Sequence, residues 1–455
     1  MPRFDARRNR PRLVEPSYLA SGFAAVALIG FLASYFAIWW VQDFLWGLGR
    51  PALTIVDYAV VVTAAVGWTV SLPAAALGIA GLLLYGNRQA ATARPMPYVV
   101  SFRVVSRGQN ELALLATVDS IRAAMKREPL FPYRVEVITD MALALPPGDD
   151  LWHYVVPPEY ETPRGSLYKA RALEYALGVS DLPGDAWIMH LDEESRLSTS
   201  LVRGIAVAVS EEEASGRLRI GQGVILYHRD VAHHRFLTLA DGIRTGDDLG
   251  RFHFQHRLGI TLFGLHGSFI LVRNDIASEV GFDFGPVGSI TEDAFWAVVQ
   301  MERGRRCRWV DGFLEEQSTR SLMDFARQRR RWFIGLVLVA LRAPVKLRYR
   351  LAIGVSTAMW SMAWVGVVAT YANLIVGVSI PLPLRAAGNF VFAFYIVLYL
   401  LGMKLSLNLS PMRWWARWLH YLGVVLLIPV FAIIEAASVI YALLRPNVGF
   451  HVVRK

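Results

Sequence analysis

Two carboxylates follow a short apolar run in the middle of the chain, in the segment His190-Leu-Asp-Glu-Glu194. Asp192 and Glu194 are separated by one residue, so on an extended backbone both side chains leave toward the same side. Such a pair can share a divalent cation, and Mg²⁺ prefers one or two carboxylates together with substrate phosphates. The same pattern also suits a solvated acidic loop, so the pair alone leaves metal binding and solvent exposure as open alternatives.

A second acidic pair, Glu292 and Asp293, ends the segment Gly288-Ser-Ile-Thr-Glu-Asp293 and opens a predicted helix. Acidic residues in a first helical turn complement the helix dipole, with Thr291 as a candidate N-cap. A carboxylate beside a metal-bound phosphate can instead act as a general base. The motif alone favours neither interpretation.

A third segment, Gln328-Arg-Arg-Arg-Trp332, combines basic and aromatic side chains. The planar fork of an arginine such as Arg331 suits the oxygens of a diphosphate. Trp332 can stack on a sugar ring. Arg329 and Arg330 are predicted to form a basic patch at a membrane surface instead.

Strands and helices alternate around these motifs. The apolar pattern predicts strands over 98–105, 133–140 and 186–192, with helices over 111–125 and 166–177. Further strands are predicted over 221–227 and 268–272. Strands separated by helices form parallel sheets through right-handed crossovers, and ligands bind at the carboxyl ends of such strands. Asp140 and Asp192 both lie at a predicted strand end.

The two ends of the chain are strongly apolar. Hydrophobic residues make up 54% of the 455 and charged residues only 18%, whereas soluble domains are about a quarter charged. The runs 18–41, 54–85, 352–376 and 389–407 each approach or exceed the length of a membrane-spanning helix, about 20 residues. A fifth run, 422–444, contains Glu435, and a charge there costs about 2.5 kcal/mol or more in a bilayer. We therefore expect this run to lie flat or to re-enter.

The net charge of +10 comes largely from arginines beside the apolar runs. This is the positive-inside pattern of membrane proteins, and no nucleic-acid-binding motif accompanies it. Cys307 is the single cysteine, which excludes an internal disulfide and a cysteine-based zinc site. Exposure of the soluble part of the chain to the reducing cytosol fits this cysteine usage.

These patterns divide the chain into seven segments. In order, they are a basic cytosolic N-terminus (1–17), two transmembrane helices (18–86), a cytosolic α/β domain (87–332), an interfacial helix (333–350), two transmembrane helices (351–410), an amphipathic or re-entrant segment or fifth membrane helix (411–449) and a C-terminal tail (450–455).

The order and spacing of the three motifs, followed by apolar helices, resemble glycosyltransferase family 2. This is the class of cellulose, chitin and hyaluronan synthases, whose catalytic domain has the GT-A nucleotide-sugar fold. The resemblance covers nearly the whole chain. More narrowly, the chain resembles the egghead family of β-1,4-mannosyltransferases, which use GDP-mannose and a glycolipid acceptor. The matching stretches include Arg103-Val-Val-Ser-Arg-Gly108, Val135-Glu-Val-Ile-Thr-Asp140, Gly221-Gln-Gly223 and Gly288-Ser-Ile-Thr-Glu-Asp293.

The resemblance implies a role for each matching residue on the donor side. Asp140 would bind the nucleotide base or its ribose, and Lys169 would approach the diphosphate. Asp192 and Glu194 would hold Mg²⁺ or Mn²⁺, although many relatives carry aspartate where this chain has Glu194. The full set of implied donor-binding residues is Arg103, Asp140, Lys169, Asp192, Gln328 and Arg331.

On the acceptor side, the resemblance implies that Asp293 deprotonates the attacking hydroxyl. The implied acceptor-binding residues are Glu292, Trp332, Gly267 and Ser268. Such an enzyme would invert the anomeric centre in one step, so an α-linked donor would give a β-glycoside. The implied partners are a nucleotide-sugar donor, a lipid-linked or glycan acceptor and the lipid bilayer.

Two other functions remain open from the sequence. One is a processive polysaccharide synthase that uses UDP-glucose or another nucleotide sugar and translocates its product. The other is a membrane scaffold or lipid-binding protein without catalytic activity. A multi-pass protein of the plasma (inner) membrane is expected in each case, and the oligomeric state is left open.

The last six residues, from Phe450 to Lys455, resemble the Phe-x-Val-Thr-x-Lys gating motif of cellulose synthases, with Val453 in place of the threonine. A terminal tail without this role is the alternative. If the motif reaches the active site, the C-terminus must be cytosolic, which requires four membrane crossings rather than five.

Overall fold

The computed structural model describes residues 23–47, 49–85, 93–227, 234–408 and 413–446. The predicted basic N-terminus (1–17) and the gating-like motif (450–455) lie outside the described residues. Two apolar helices, α1 (Phe23–Trp46) and α2 (Ile55–Leu83), precede the α/β domain as predicted. α2 is a single helix with Pro73 inside it, and it begins with a capping box in which Thr54 Oγ1 accepts from the Asp57 amide.

The α/β domain contains an eight-stranded sheet. Its strands are β1 (Val100–Ser106), β2 (Tyr133–Thr139), β3 (Leu151–Val155), β4 (Trp187–Asp192), β5 (Arg196–Leu197), β6 (Ile220–Tyr227), β7 (Ile270–Arg273) and β8 (Cys307–Glu316). The spatial order is β3-β2-β1-β4-β7-β6-β8-β5.

The sheet is mixed, which corrects the prediction of a parallel sheet. The half formed by β3, β2, β1 and β4 is parallel, as is the β6–β8 pair. β7 runs antiparallel to both β4 and β6, and β5 is antiparallel to β8. The antiparallel direction of β7 places the start of this strand beside the carboxyl end of β4. The loop before β7 therefore meets the end of β4.

Eight helices belong to the described part of the domain between β1 and β8. They are α3 (Glu111–Arg127), α4 (Tyr168–Val179), α5 (Thr199–Ser215), α6 (Arg235–Asp247), α7 (His253–Leu258), α8 (Asn274–Val280), α9 (Gly285–Gly288) and α10 (Glu292–Glu302). A π-helical segment, Asp248–Phe252, joins α6 to α7.

Four helices follow β8, namely α11 (Leu322–Arg342), α12 (Leu347–Val376), α13 (Leu382–Asn408) and α14 (Trp414–Leu444). Among the described residues, α1, α2, α12, α13 and α14 are long and apolar enough to cross a membrane. The predicted boundary at 332 between the domain and an interfacial helix falls inside α11, which also contains the segment Gln328–Trp332.

Glu435 does not interrupt α14, which is one continuous helix. Its carboxylate accepts a hydrogen bond from Arg329 Nε on α11 at 2.9 Å. α14 runs beside α11, and Arg330 Nε donates to the Arg445 carbonyl at 2.8 Å. Because a paired charge is tolerated among apolar helices, Glu435 is no longer an argument against a crossing by α14. The four-crossing topology stays a prediction.

The apolar helices and the α/β domain form one packed unit. Phe394 and Leu398 on α13 share a buried cluster with Leu226 of β6 and Leu249 of the π-helical segment. The contact with α2 is close, because a Cβ atom at Gly81 would lie 1.9 Å from the carbonyl oxygen of residue 250. This packing places the helix bundle directly against the loops that surround the end of β4.

Candidate active site

The carboxyl end of β4 opens onto a cavity of about 1550 Å³. Asp192 ends β4, Glu292 and Asp293 open α10, and Gly267 lies in the loop before β7. All four residues line the cavity. The structure thus brings together the two acidic motifs, which are about a hundred residues apart in the sequence.

Lys169 connects the two acidic motifs. Its ammonium donates hydrogen bonds to Asp192 Oδ1 and, at 3.1 Å, to the Gly267 carbonyl, and it lies 3.7 Å from Glu292 Oε1. Burial alone would lower the pKa of Lys169, but the charges of Asp192 and Glu292 raise it above its ordinary value. The ammonium therefore stays protonated at neutral pH and presents a fixed positive charge at the strand end.

Glu292 and Asp293 differ in their environments. Glu292 is buried, and its burial together with the charge of Asp293 raises the pKa of Glu292 to about 7, while Lys169 opposes this shift. Asp293 Oδ1 accepts from the Ala294 amide at 2.8 Å within the first turn of α10. The predicted side-chain cap by Thr291 does not form. Two adjacent carboxylates in different environments suit a division of roles between proton transfer and binding.

The Gln328–Trp332 segment of α11 forms another part of the cavity wall. Gln328, Arg331 and Trp332 all line the cavity. Arg331 Nη1 donates to the Ile290 carbonyl at 3.2 Å, which holds its guanidinium beside the start of α10. The Arg244 guanidinium lies 4.3 Å from the centre of the Trp332 ring and holds that ring by a cation–π contact.

Arg329 is not part of a surface patch, so the prediction for this residue is wrong. Its side chain is 3% exposed and pairs with Asp241 of α6 and with Glu435 of α14. It also donates to Gln328 Oε1 at 3.1 Å. Arg329 therefore ties α6, α11 and α14 together, and it orients Gln328 at the cavity wall. Arg330 is half-buried and donates from Nε to the Arg445 carbonyl at 2.8 Å.

The predicted metal ligands do not share one environment. Asp192 lines the cavity, whereas Glu194 is 5% exposed and does not line it. Among the described residues, no group of three or more histidine, cysteine or acidic side chains could hold a metal ion by itself. A Mg²⁺ ion needs only one or two carboxylates when substrate phosphates complete its shell. Asp192 fits such an ion together with a donor diphosphate, and a role for Glu194 as a second ligand stays a prediction.

Two predicted donor-binding residues lie outside the cavity lining. Asp140 follows β2 and pairs with Arg171 and Arg107, at 3.0 and 3.5 Å. Since β1 separates β2 from β4 and strands lie about 4.8 Å apart, the ends of β2 and β4 are about 10 Å apart. Arg103 is placed elsewhere than predicted, because its fully buried side chain pairs with Glu136 inside the sheet.

The structure pairs two further residues of the cavity, Asp248 and His266. His266 Nε2 lies 2.7 Å from Asp248 Oδ1, and both residues line the cavity. Asp248 also accepts from the Ile225 amide at 2.9 Å. Burial raises the pKa of Asp248, although its contact with His266 acts in the opposite direction. No local sequence signal joins these residues, since Asp248 lies in a π-helical segment that shows no motif.

The cavity thus combines the ammonium of Lys169 with carboxylates at the end of β4 and at the start of α10. An arginine and a tryptophan of α11 complete it. Positive charge from Lys169 and Arg331 can stabilise phosphate oxygens, and an adjacent carboxylate can accept a proton from a hydroxyl. The aromatic ring of Trp332 can pack against a sugar. This chemistry is that of group transfer from a phosphorylated donor to a hydroxyl acceptor.

The model of the family described as glycosyl transferase family group 2 matches residues 187–444. The β-1,4-mannosyltransferase egh of Drosophila melanogaster is 32% identical over 396 residues, which cover 85% of this chain and 85% of that protein. The β-1,4-mannosyltransferases bre-3 of Caenorhabditis briggsae and Caenorhabditis elegans are 28% identical over 438 residues and 30% identical over 392. These matches cover 91% and 84% of this chain, and 95% and 85% of those proteins.

Among solved structures, Staphylococcus aureus TarS (residues 1–349, in complex with UDP) matches with a TM-score of 0.32 and 11% identity, over 66% of this chain and 90% of that one. GalNAc-T7 with UDP, GalNAc and Mn²⁺ matches with a TM-score of 0.33 and 11% identity, over 64% of this chain and 57% of that one. The predicted fold class, a GT-A α/β domain between apolar helices, is confirmed by the family match and the described architecture.

Proposed function

Because the chain belongs to glycosyl transferase family group 2, we propose that it transfers mannose from GDP-mannose to the sugar of a lipid-linked or membrane-presented acceptor and forms a β-glycosidic bond. The identity of about 30% to three β-1,4-mannosyltransferases supports the donor and the linkage. The observation that carries the proposal is the convergence of Lys169, Asp192, Asp293 and Arg331 on one cavity that continues among apolar helices.

In the proposed reaction, Asp293 takes the proton of the acceptor hydroxyl while that oxygen attacks the anomeric carbon from the face opposite the diphosphate. The bond between the anomeric carbon and the diphosphate oxygen breaks, and the electron pair leaves with GDP. Lys169 and Arg331 stabilise the negative charge that develops on the departing diphosphate. When bound at Asp192, Mg²⁺ or Mn²⁺ supplies further positive charge at the same phosphates.

The location of the protein is part of the proposal. Within the described residues, five helices are long and apolar enough to cross a bilayer, and arginines precede the first of them. The positive-inside rule then places the α/β domain in the cytosol, where nucleotide sugars are available to it. We propose the plasma (inner) membrane as the site of the enzyme.

A radiolabelled-donor experiment tests the proposed donor. Purified protein in detergent with Mg²⁺ or Mn²⁺ receives GDP-[¹⁴C]mannose or UDP-[¹⁴C]glucose together with a membrane lipid extract. Label from GDP-mannose should enter the organic phase, and β-mannosidase should release it. Incorporation from UDP-glucose without incorporation from GDP-mannose would overturn the mannose assignment and leave the glycosyltransferase itself in place.

A processive polysaccharide synthase is the second candidate. The observation that favours it is the reach of the cavity from Asp293 to Arg385, which lies near the start of α13. A growing chain would need such a path through the helices. Product length on a sizing gel separates the two candidates, because a mannosyltransferase of the proposed kind adds a single sugar.

A further inference from the structure

The cavity that holds the catalytic carboxylates extends far beyond the sheet. It is also lined by all five apolar helices, from Ala33 on α1 to Val439 on α14. Its volume of about 1550 Å³ exceeds the roughly 300–1,000 Å³ of an ordinary small-molecule site. A nucleotide sugar bound at the carboxylates therefore leaves a large part of the cavity for a second molecule.

The length of this extension matches the thickness of the hydrocarbon core of a bilayer. Along α12, the lining residues run from Ser356 to Leu374, a stretch of helix that rises about 27 Å at 1.5 Å per residue. The hydrocarbon core of a membrane is about 30 Å thick. At the end away from the sheet the cavity reaches Gln42 and Arg385, whose side chains are hydrogen-bonded to each other at 2.8 Å.

Three hydroxyl groups along the extension donate hydrogen bonds to backbone carbonyls. Ser71 Oγ donates to the Gly67 carbonyl at 3.0 Å, and Thr370 Oγ1 donates to the Gly366 carbonyl at 2.8 Å. The Tyr371 hydroxyl donates to the Pro429 carbonyl at 2.9 Å, between α12 and α14. These side chains therefore direct their donors to protein carbonyls rather than to a molecule inside the cavity.

The wall between these hydroxyls is largely apolar, with Ala363 and Val367 on α12 facing the same space as Ile428 and Ala432 on α14. The charged lining residue of α14, Glu435, is paired with Arg329. A glycan in this section would leave hydroxyl groups without partners, which costs free energy for each group. A hydrocarbon chain has no such groups, and water does not fill an apolar space of this kind favourably. The wall chemistry thus selects a hydrocarbon chain over a sugar polymer.

We propose that the section of the cavity between α12 and α14 binds the hydrocarbon chain of the acceptor lipid inside the helix bundle, with the acceptor sugar at Asp293. The proposal rests on the proposed function, because it assigns the acceptor's chain to the same cavity as the reaction. In this arrangement the enzyme recognises its acceptor through the length of the hydrocarbon chain as well as through the sugar.

Photolabelling tests the position of the lipid's hydrocarbon chain without requiring turnover. The probe is hexadecyl β-D-glucoside with a terminal diazirine, added to the full-length protein in phosphatidylcholine nanodiscs and located by peptide mass spectrometry. Label should appear on cavity residues of α12 and α14, and excess hexadecyl β-D-glucoside should compete where methyl β-D-glucoside does not. Label confined to outward-facing residues such as Val355 and Val368, without competition, would overturn the proposal.

A matched pair of variants on α12 compares added bulk inside the cavity with the same bulk outside it. Ala363→Phe fills the cavity, whereas Val368→Phe adds the same bulk to a side chain that is 46% exposed and does not line it. Photolabelling of the cavity by the hexadecyl probe should fall roughly tenfold in Ala363→Phe, the effect of excluding about two methylene groups from the site. It should be unchanged in Val368→Phe. Equal labelling in both variants would contradict the proposal.

Two further controls separate the possible failures. Ala432→Leu narrows the same space from α14 and should also reduce labelling if Ala363→Phe does not fold. Nucleotide release from GDP-mannose is measured on the wild type and on Val368→Phe, so the proposed function is tested separately from the site of the hydrocarbon chain. Absence of release from every nucleotide sugar would instead refute the proposed function. A donor-dependent polymer that becomes shorter in Ala363→Phe would overturn the hydrocarbon assignment.

Discussion

A methyl group added at Gly267 tests whether Lys169 and Asp293 work as one cluster. A Cβ atom there would lie 3.0 Å from Lys169 Nζ, 3.1 Å from Asp293 Oδ2 and 3.4 Å from Glu292 Oε1. Favourable contacts begin near 3.5 Å, so Lys169 and Asp293 must each move by about half an ångström. A displacement of 1 Å can cost about a hundredfold in rate, so this smaller one should lower kcat roughly tenfold.

The assay is nucleotide release from the donor by Gly267→Ala in detergent, with thermal denaturation of the same sample. Gly178→Ala in α4 is the control, because no atom lies within 4 Å of the added methyl group. The control should retain full activity, and both variants should melt with the wild type, since the neighbours of residue 267 are ends of flexible side chains. Full activity of a folded Gly267→Ala variant would refute the idea that this spacing controls the reaction.

Three further variants probe the charges around the site. Burial raises the pKa of Glu292 to about 7, so the folded state holds this proton more tightly than the unfolded chain, whose pKa lies near 4.5. Its contribution to stability is complete below that lower pKa and is lost as pH rises through 7, by at most about 3 kcal/mol. Between about pH 5 and 8, thermal scans should show a smaller loss of stability for Glu292→Gln than for the wild type. Parallel stability curves for the two proteins would contradict this. Lys169→Met removes the cation beside Asp192 and should lower kcat/KM for nucleotide release about 10²-fold or more, whereas an unchanged value would remove Lys169 from the mechanism. Glu435→Leu should lower the unfolding free energy by about 1–3 kcal/mol, because Arg329 loses one of its two acidic partners, and an unchanged melting temperature would argue against that pairing.

Local patterns were sufficient to predict the elements that carry the motifs. The strand predicted over 133–140 is β2 (Tyr133–Thr139), and the helix predicted over 111–125 is α3 (Glu111–Arg127). Both are defined by apolar periodicity within a few residues, which a single sequence contains. The family resemblance, and not apolar periodicity, marks Asp192 and Asp293 as site residues, and both line the cavity.

Pairings over long distances in the chain were not predictable in the same way. In the local sequence, Arg329 is one of three consecutive arginines, but its partners Asp241 and Glu435 lie 88 and 106 residues away. The pair of Asp248 and His266 depends in turn on the path of the π-helical segment past the loop before β7. The antiparallel direction of β7 likewise follows from its pairing with β4 and β6, which no local pattern contains.

Glu194 shows a further limit of pattern reading. Its spacing from Asp192 suits a shared ion, but the chain turns after β4, and Glu194 is buried and does not line the cavity. Alternation along an extended strand holds only while the strand continues, and β4 ends at Asp192.

The most direct test of the central claim is nucleotide release by the purified protein in detergent with Mg²⁺ or Mn²⁺, with GDP-mannose and UDP-glucose offered separately and Asp293→Asn as the matched variant. We predict GDP release from GDP-mannose by the wild type and its loss in a folded Asp293→Asn protein. UDP release from UDP-glucose with no GDP release, or GDP release that survives in Asp293→Asn, would contradict the account.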